Sequence, residues 1–262
     1  MKTSTTRQLW MIVLGWMILP SLCLVIGYFL GRLLGSLAVP DLTYLGSDQV
    51  KKEIAESASA ENMFYGGLLG MFSGPGIGLF GAGILTAQAI KPFFPLYNKH
   101  IAISAAGWLS SFIIGSIVTI VLLIVIAKPI ATKGNYGIES ELKLIFYCIP
   151  IGAIGGGFTM GIVGSKLTTR ILRNLEPGLE KKTLNHINLR WGTGFALGGL
   201  LVGIGGLCIF YSISDYFNDE IIWIALAVGF AISGLCGSLI GGKYMLKRLR
   251  EYASVRDMAR SG

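Results

Sequence analysis

The sequence predicts an all-α, polytopic membrane protein with six transmembrane helices arranged as three tandem hairpin repeats. Three observations point to it. The 262 residues are 53% hydrophobic and only 14% charged, with a mean hydropathy of +0.66, whereas soluble domains carry roughly 25% charged residues. Apolar runs exceed the ~20 residues needed to cross a bilayer. Within those runs glycine is abundant and regularly spaced, as in "GPGIGLFGAG" from Gly74 to Gly83.

In chain order, the spans fall near Leu9–Val39, Phe64–Ile90, Ile101–Ala127, Leu144–Leu167, Leu189–Ile213 and Ile221–Lys243. They group as hairpins over about 9–90, 101–167 and 189–243, forming a single membrane domain, with 244–262 as a basic cytoplasmic tail. The first span begins like a signal peptide, with Lys2 and Arg7 ahead of an apolar stretch. Its apolar part continues far beyond an ordinary h-region, and "PSLC" lacks the small residue of a lipoprotein cleavage site, so it reads as an uncleaved helix. In the second span Gly66, Gly70, Gly74 and Gly78 stand four apart on one face, a glycine zipper. No hydrophobic force presses helices together in hydrocarbon, and small residues let backbones approach closely. Gly152 and Gly156 repeat the spacing in the fourth span, and the sixth is again glycine-rich, with Gly229 and Gly234. A phosphate-binding loop would need a preceding strand and, for the Walker form, a Gly-Lys-Ser/Thr ending; neither is present. The ends of the fourth and sixth spans, "KLTTRILR" from Lys166 and "KYMLKRLREY" from Lys243, are expected to continue as helices past the hydrocarbon.

Charge sets the orientation. With the N-terminus in the cytoplasm, 16 of the 22 Lys and Arg fall on the inner side and ten of the 14 acids on the outer side, as the positive-inside rule expects for an even number of spans. The net charge of +8 is therefore a topology signal. Nucleic-acid binding would want basic residues interleaved with aromatics on one soluble face, and no nucleic-acid partner is expected. The expected location is the bacterial cytoplasmic (inner) membrane or the thylakoid, with both termini cytoplasmic.

The spans repeat. A shift of 77 residues lays Gly152, Gly157, Gly164 and Lys166 on Gly229, Gly234, Gly241 and Lys243. A shift of 78 lays Gly74, Gly78 and Gly83 on Gly152, Gly156 and Gly161. Among the odd spans, Gly15–Trp16 recurs at Gly107–Trp108, and a shift of 83 carries Trp108 to Trp191. Repeats of one orientation would be related by an axis along the membrane normal.

Two resemblances arise from these residues. "GPGIGLFGAGILTAQAIKPFFP" is similar to the glycine-rich first helix of the rotary ATP synthase c subunit. That family's following helix carries a proton-binding carboxylate, and Ile101–Ala127 contains no Asp or Glu, so no such role transfers. Over most of its length the chain resembles a bacterial membrane-protein type, seen in cyanobacteria among others, built of tandem Gly-rich hairpins. Gly15–Trp16, Gly107–Trp108, Trp191, Gln88, Lys166–Arg170 and Lys243–Lys247 carry that likeness, which implies no settled activity.

Chemistry is sparse. The central stretch of every span lacks Asp, Glu, Lys, Arg and His, which argues against ion-coupled transport. Lys166, Arg170, Arg173, Lys243, Lys247 and Arg250 are expected to meet lipid headgroups. Gln88 is the one amide well inside a span and is a candidate for a polar path. Cys23, Cys148, Cys208 and Cys236 stand singly, and neither a metal site nor a cofactor is expected. No nucleophile–base or paired-carboxylate arrangement is present, so the protein is not expected to be an enzyme. The favoured function is a structural or accessory subunit packing through its glycine faces, against lipid and a membrane-protein partner or further copies of itself. The alternative is a small permease or passive channel for a neutral solute or lipid, including the membrane half of an ATP-driven exporter.

Overall fold

The computed structural model describes residues 5–38, 48–131, 138–213 and 219–261. The connections that carry Asp41, Lys133 and Asp215 lie outside the described residues, as do the side chains of Cys148 and Cys208.

The described residues are helical almost throughout. The helices are α1 (Thr5–Leu37), α2 (Asp48–Ile90), α3 (Asn98–Ala131), α4 (Ile138–Leu175), α5 (Lys181–Ile213), α6 (Asp219–Gly237) and α7 (Lys243–Ser261). A wide π-helical turn, Ser238–Gly242, joins α6 to α7, and both its flanking residues are in the right-handed helical region, so the chain runs on without a break. As expected, the segments from Lys166 and Lys243 continue as helix, to Leu175 and Ser261.

The all-helical class holds, while the finer reading changes. There are seven helices among the described residues rather than six. Among the described residues three segments, Thr6–Leu37, Asn98–Val125 and Ile224–Ala259, are long and apolar enough to cross a membrane. The other three expected spans lie in α2, α4 and α5. Part of each of these helices lies outside the residues whose side chains are described.

Consecutive helices pack against one another, and α6 returns to α1, closing a ring. The glycines show the antiparallel register. A Cβ on Gly27 would collide with Gly70, and one on Gly31 with Gly66. Gly115 faces Gly156 in the α3–α4 pair, and Gly198 faces Ser233 between α5 and α6. Between pairs, Gly83 of α2 lies on Ala105 of α3, and Gly161 of α4 on the backbone of Trp191 and Gly192 in α5. Gly234 of α6 lies on the carbonyl of Trp16 in α1. Pro20 stands four residues after Trp16 and has no N–H to give that carbonyl, which leaves it turned toward Gly234.

Among the described residues the buried core lies toward one end of the ring, where α1, α3 and α5 begin, α2 and α4 finish and α7 follows α6. We call this the basic end. At the far end α1 keeps Phe29, Leu33, Leu34 and Leu37 exposed.

Candidate functional site

The centre of the ring at the basic end is filled by aromatic rings. Trp16, Trp108 and Trp191 arrive from α1, α3 and α5, and each is at most 1% exposed. Their ring centroids are 4.4, 5.0 and 5.4 Å apart, Trp16 and Trp108 meeting edge to face. Phe195, one turn beyond Trp191, stacks on it at 5.9 Å and touches Trp16 edge-on at 5.2 Å. Aromatic pairs at these separations and tilts are favourable beyond the area they bury.

The seats of the three indoles are equivalent in sequence. Gly164 of α4 lies under the ring of Trp108, and Gly241, in the π-helical turn, lies under that of Trp191. A Cβ at Gly241 would come within 2.5 Å of the Trp191 ring. The residue 78 before Gly164 and in line with both is Thr86. Here the side chain is used: the Trp16 Nε1–H donates to Thr86 Oγ1 at 2.8 Å, and the Thr86 hydroxyl donates to the Ala82 carbonyl at 2.9 Å. Glycine has no hydroxyl to offer, and the Nε1–H groups of Trp108 and Trp191 have no partner among the described residues. An unmet buried donor costs about 1–3 kcal/mol, so this seal trades hydrogen bonding for close ring-on-backbone contact at two of its three seats.

Around the seal, hydroxyls tie neighbouring helices. Ser104 and Thr168 share a 2.7 Å hydrogen bond between α3 and α4, and Thr169 donates to Asn188 Oδ1 at 3.1 Å between α4 and α5. Below it, α7 closes the basic end. Arg256 pairs with Glu176 after α4, donates to the Phe93 carbonyl after α2 at 3.3 Å, and stands 5.7 Å over the Phe94 ring. Tyr252 stacks on Phe94 and donates to Glu176 at 3.4 Å. Burial pulls the Arg256 pKa down, but hydrogen bonds to Glu176 and Asp257 outweigh this and leave it raised. One arginine thus joins the ends of α2 and α4 to α7.

The expected site residues sort clearly. Gly66, Gly70, Gly74 and Gly78 all face α1. Gly152 and Gly156 face Thr119 of α3, whose hydroxyl also donates to the Gly152 carbonyl at 3.1 Å. Gly229 faces Val202 of α5, whereas Gly234 faces α1. These glycines are spent on contacts inside the chain. Gln88 is exposed on the outside of α2, away from the ring centre. It is level with Lys166 and Lys243 by the same 78- and 77-residue shifts, which explains its outward position. Lys166, Arg170, Arg173, Lys243, Lys247 and Arg250 are all exposed at the basic end. Cys23 and Cys236 are half-buried and free, and no group of three metal-binding side chains occurs among the described residues.

Sequence reasoning overlooked the α1 half of the zipper, Gly27, Gly31 and Gly35, although its spacing of four was there to be read. Thr86 was also readable, as the residue aligned with Gly164 and Gly241. Nothing in the sequence marks Phe195 or Arg256. Comparison with known families, curated proteins and solved structures finds no match for this chain.

Proposed function

We propose that the protein is a non-enzymatic structural or accessory subunit of a bacterial cytoplasmic membrane. In this reading six helices cross the bilayer as three tandem hairpins, with the basic end in the cytoplasm. The observation that carries it is the aromatic seal: three tryptophans and a phenylalanine occupy the centre of the ring, where a permeation path along the repeat axis would run. Two further features support it. The glycine faces are consumed in internal packing, so they hold one rigid body rather than lining a passage. The amide that was the candidate for a polar path, Gln88, faces outward.

The six-span arrangement draws support from the charge sorting and from the common register of Thr86, Gly164 and Gly241 beneath the three indoles. Partners would then meet the exposed apolar outer surface of the ring, where Ile113, Ile117, Ile120 and Ile124 of α3 stand 53–58% exposed.

Reconstitution into vesicles tests the proposal. Stopped-flow light scattering with glycerol and urea should give shrinkage and re-swelling rates equal to those of protein-free vesicles. Saturable solute entry in the purified protein would overturn it and favour the permease alternative.

A further inference from the structure

One aromatic ring at the basic end gathers two guanidinium groups. The Arg190 Cζ of α5 lies 5.6 Å from the centroid of Tyr244, and the Arg248 Cζ of α7 lies 5.3 Å from the same ring. Arg248 Nε also donates to Tyr244 Oη at 3.3 Å. Arg248 is partly neutralised by Glu251 at 3.0 Å, whereas no carboxylate pairs with Arg190 among the described residues. Lys243 and Lys247 are exposed on the same helix. The local charge is therefore positive, and one ring face-packs two guanidinium groups of which only Arg248 has a carboxylate partner among the described residues.

The depth of this cluster suits an anionic headgroup. Arg190 immediately precedes Trp191, which is fully buried in the seal, and Tyr244 lies three residues beyond Gly241, which carries that indole. Toward the far end, Leu197, Leu201 and Ile204 follow Arg190 at helical spacing and are 43–48% exposed. A phosphate between the guanidinium groups would sit directly below an apolar stripe able to take an acyl chain. Guanidinium matches phosphate oxygens with paired donors, and the tyrosine face holds the arginines in place by cation–π attraction.

We propose that Arg190, Tyr244 and Arg248 form a binding site for the phosphate of an anionic phospholipid. The site rests on the membrane orientation proposed above, not on the absence of transport, so solute flux would leave it standing.

Native mass spectrometry of the full-length protein with added phosphatidylglycerol tests it. R190Q/R248Q should lower retained phosphatidylglycerol by about tenfold, equivalent to about 1.4 kcal/mol, at an unchanged melting temperature. K181Q/K182Q removes the same charge from the exposed start of α5 and should retain lipid as the parent does. Y244L keeps both charges and should give an intermediate loss. Equal loss in K181Q/K182Q would reveal diffuse attraction and overturn the site, as would full retention in R190Q/R248Q. Displacement of the lipid by inorganic phosphate at equal concentration would overturn the phospholipid assignment.

Discussion

Glycine does two different jobs in the two regions of this ring. Along the far part of α1 and α2, glycine meets glycine: a Cβ at Gly27, Gly31, Gly66 or Gly70 would strike the backbone of the opposite helix. At the basic end glycine meets indole, Gly164 beneath Trp108 and Gly241 beneath Trp191. The first is a seam with almost no side chain in it, made by backbone approach alone. The second is a socket that admits the largest side chain there is. The difference teaches where each region tolerates change. A socket can adjust when its occupant shrinks, but a seam between two backbones has nothing flexible to move.

Breaking the seam should therefore cost most. Gly70→Leu should lose more than about 3 kcal/mol, the upper range of overpacking, read as loss of monodisperse protein in mild detergent. Gly70→Ala should also disrupt, because the methyl alone meets the Gly27 carbonyl. Emptying the socket comes next. Trp108→Ala should cost about 3–5 kcal/mol from the lost ring and the cavity left behind, seen as a lowered thermal midpoint with the helical circular dichroism retained.

Arg256→Gln separates the seal from the strap that covers it. Arg256 and Glu176 are only 19% and 15% exposed, so losing the charge should cost about 1–3 kcal/mol. The effect should appear as faster proteolysis of α7, with the aromatic seal undisturbed. The smallest change sharpens the comparison among the three seats. Thr86→Val keeps the shape but removes the acceptor of the Trp16 N–H, leaving all three indoles unpaired. It should lower stability by about 1 kcal/mol, measurable by thermal melting, and blue-shift tryptophan emission slightly.

The legible part of this fold was the part written as spacing. Glycines four apart marked the faces of α2 and α4, and the shifts of 77 and 78 residues already aligned the seats of the tryptophans. Trp16, Trp108 and Trp191 were readable as repeats, yet a position near the start of each odd helix does not by itself distinguish an interfacial ring from a buried one. Periodicity says which face a residue occupies, not how deeply the neighbouring helices surround it. Gln88 illustrates the same limit. Its polarity suggested an inward path, but its register with Lys166 and Lys243 places it outside. Arg256 was unreadable, because its partners Glu176 and Phe93 lie far away in sequence and meet only once the ring closes.

That closure, with α6 and α7 returning to α1 beside the aromatic seal, is the central claim and is open to direct test by disulfide cross-linking. A Cβ at Gly242 would lie 3.0 Å from Ile12 Cγ2, and one at Gly15 3.4 Å from Leu85 Cβ, so both pairs are near neighbours that a small shift brings to the roughly 3.5–4.5 Å between the Cβ atoms of a disulfide. In a background lacking the four native cysteines, I12C/G242C and G15C/L85C should both form intramolecular cross-links to near completion on mild oxidation in membranes. Cross-linking of G15C/L85C without I12C/G242C would show α1 paired with α2 but the ring open, and would contradict the account.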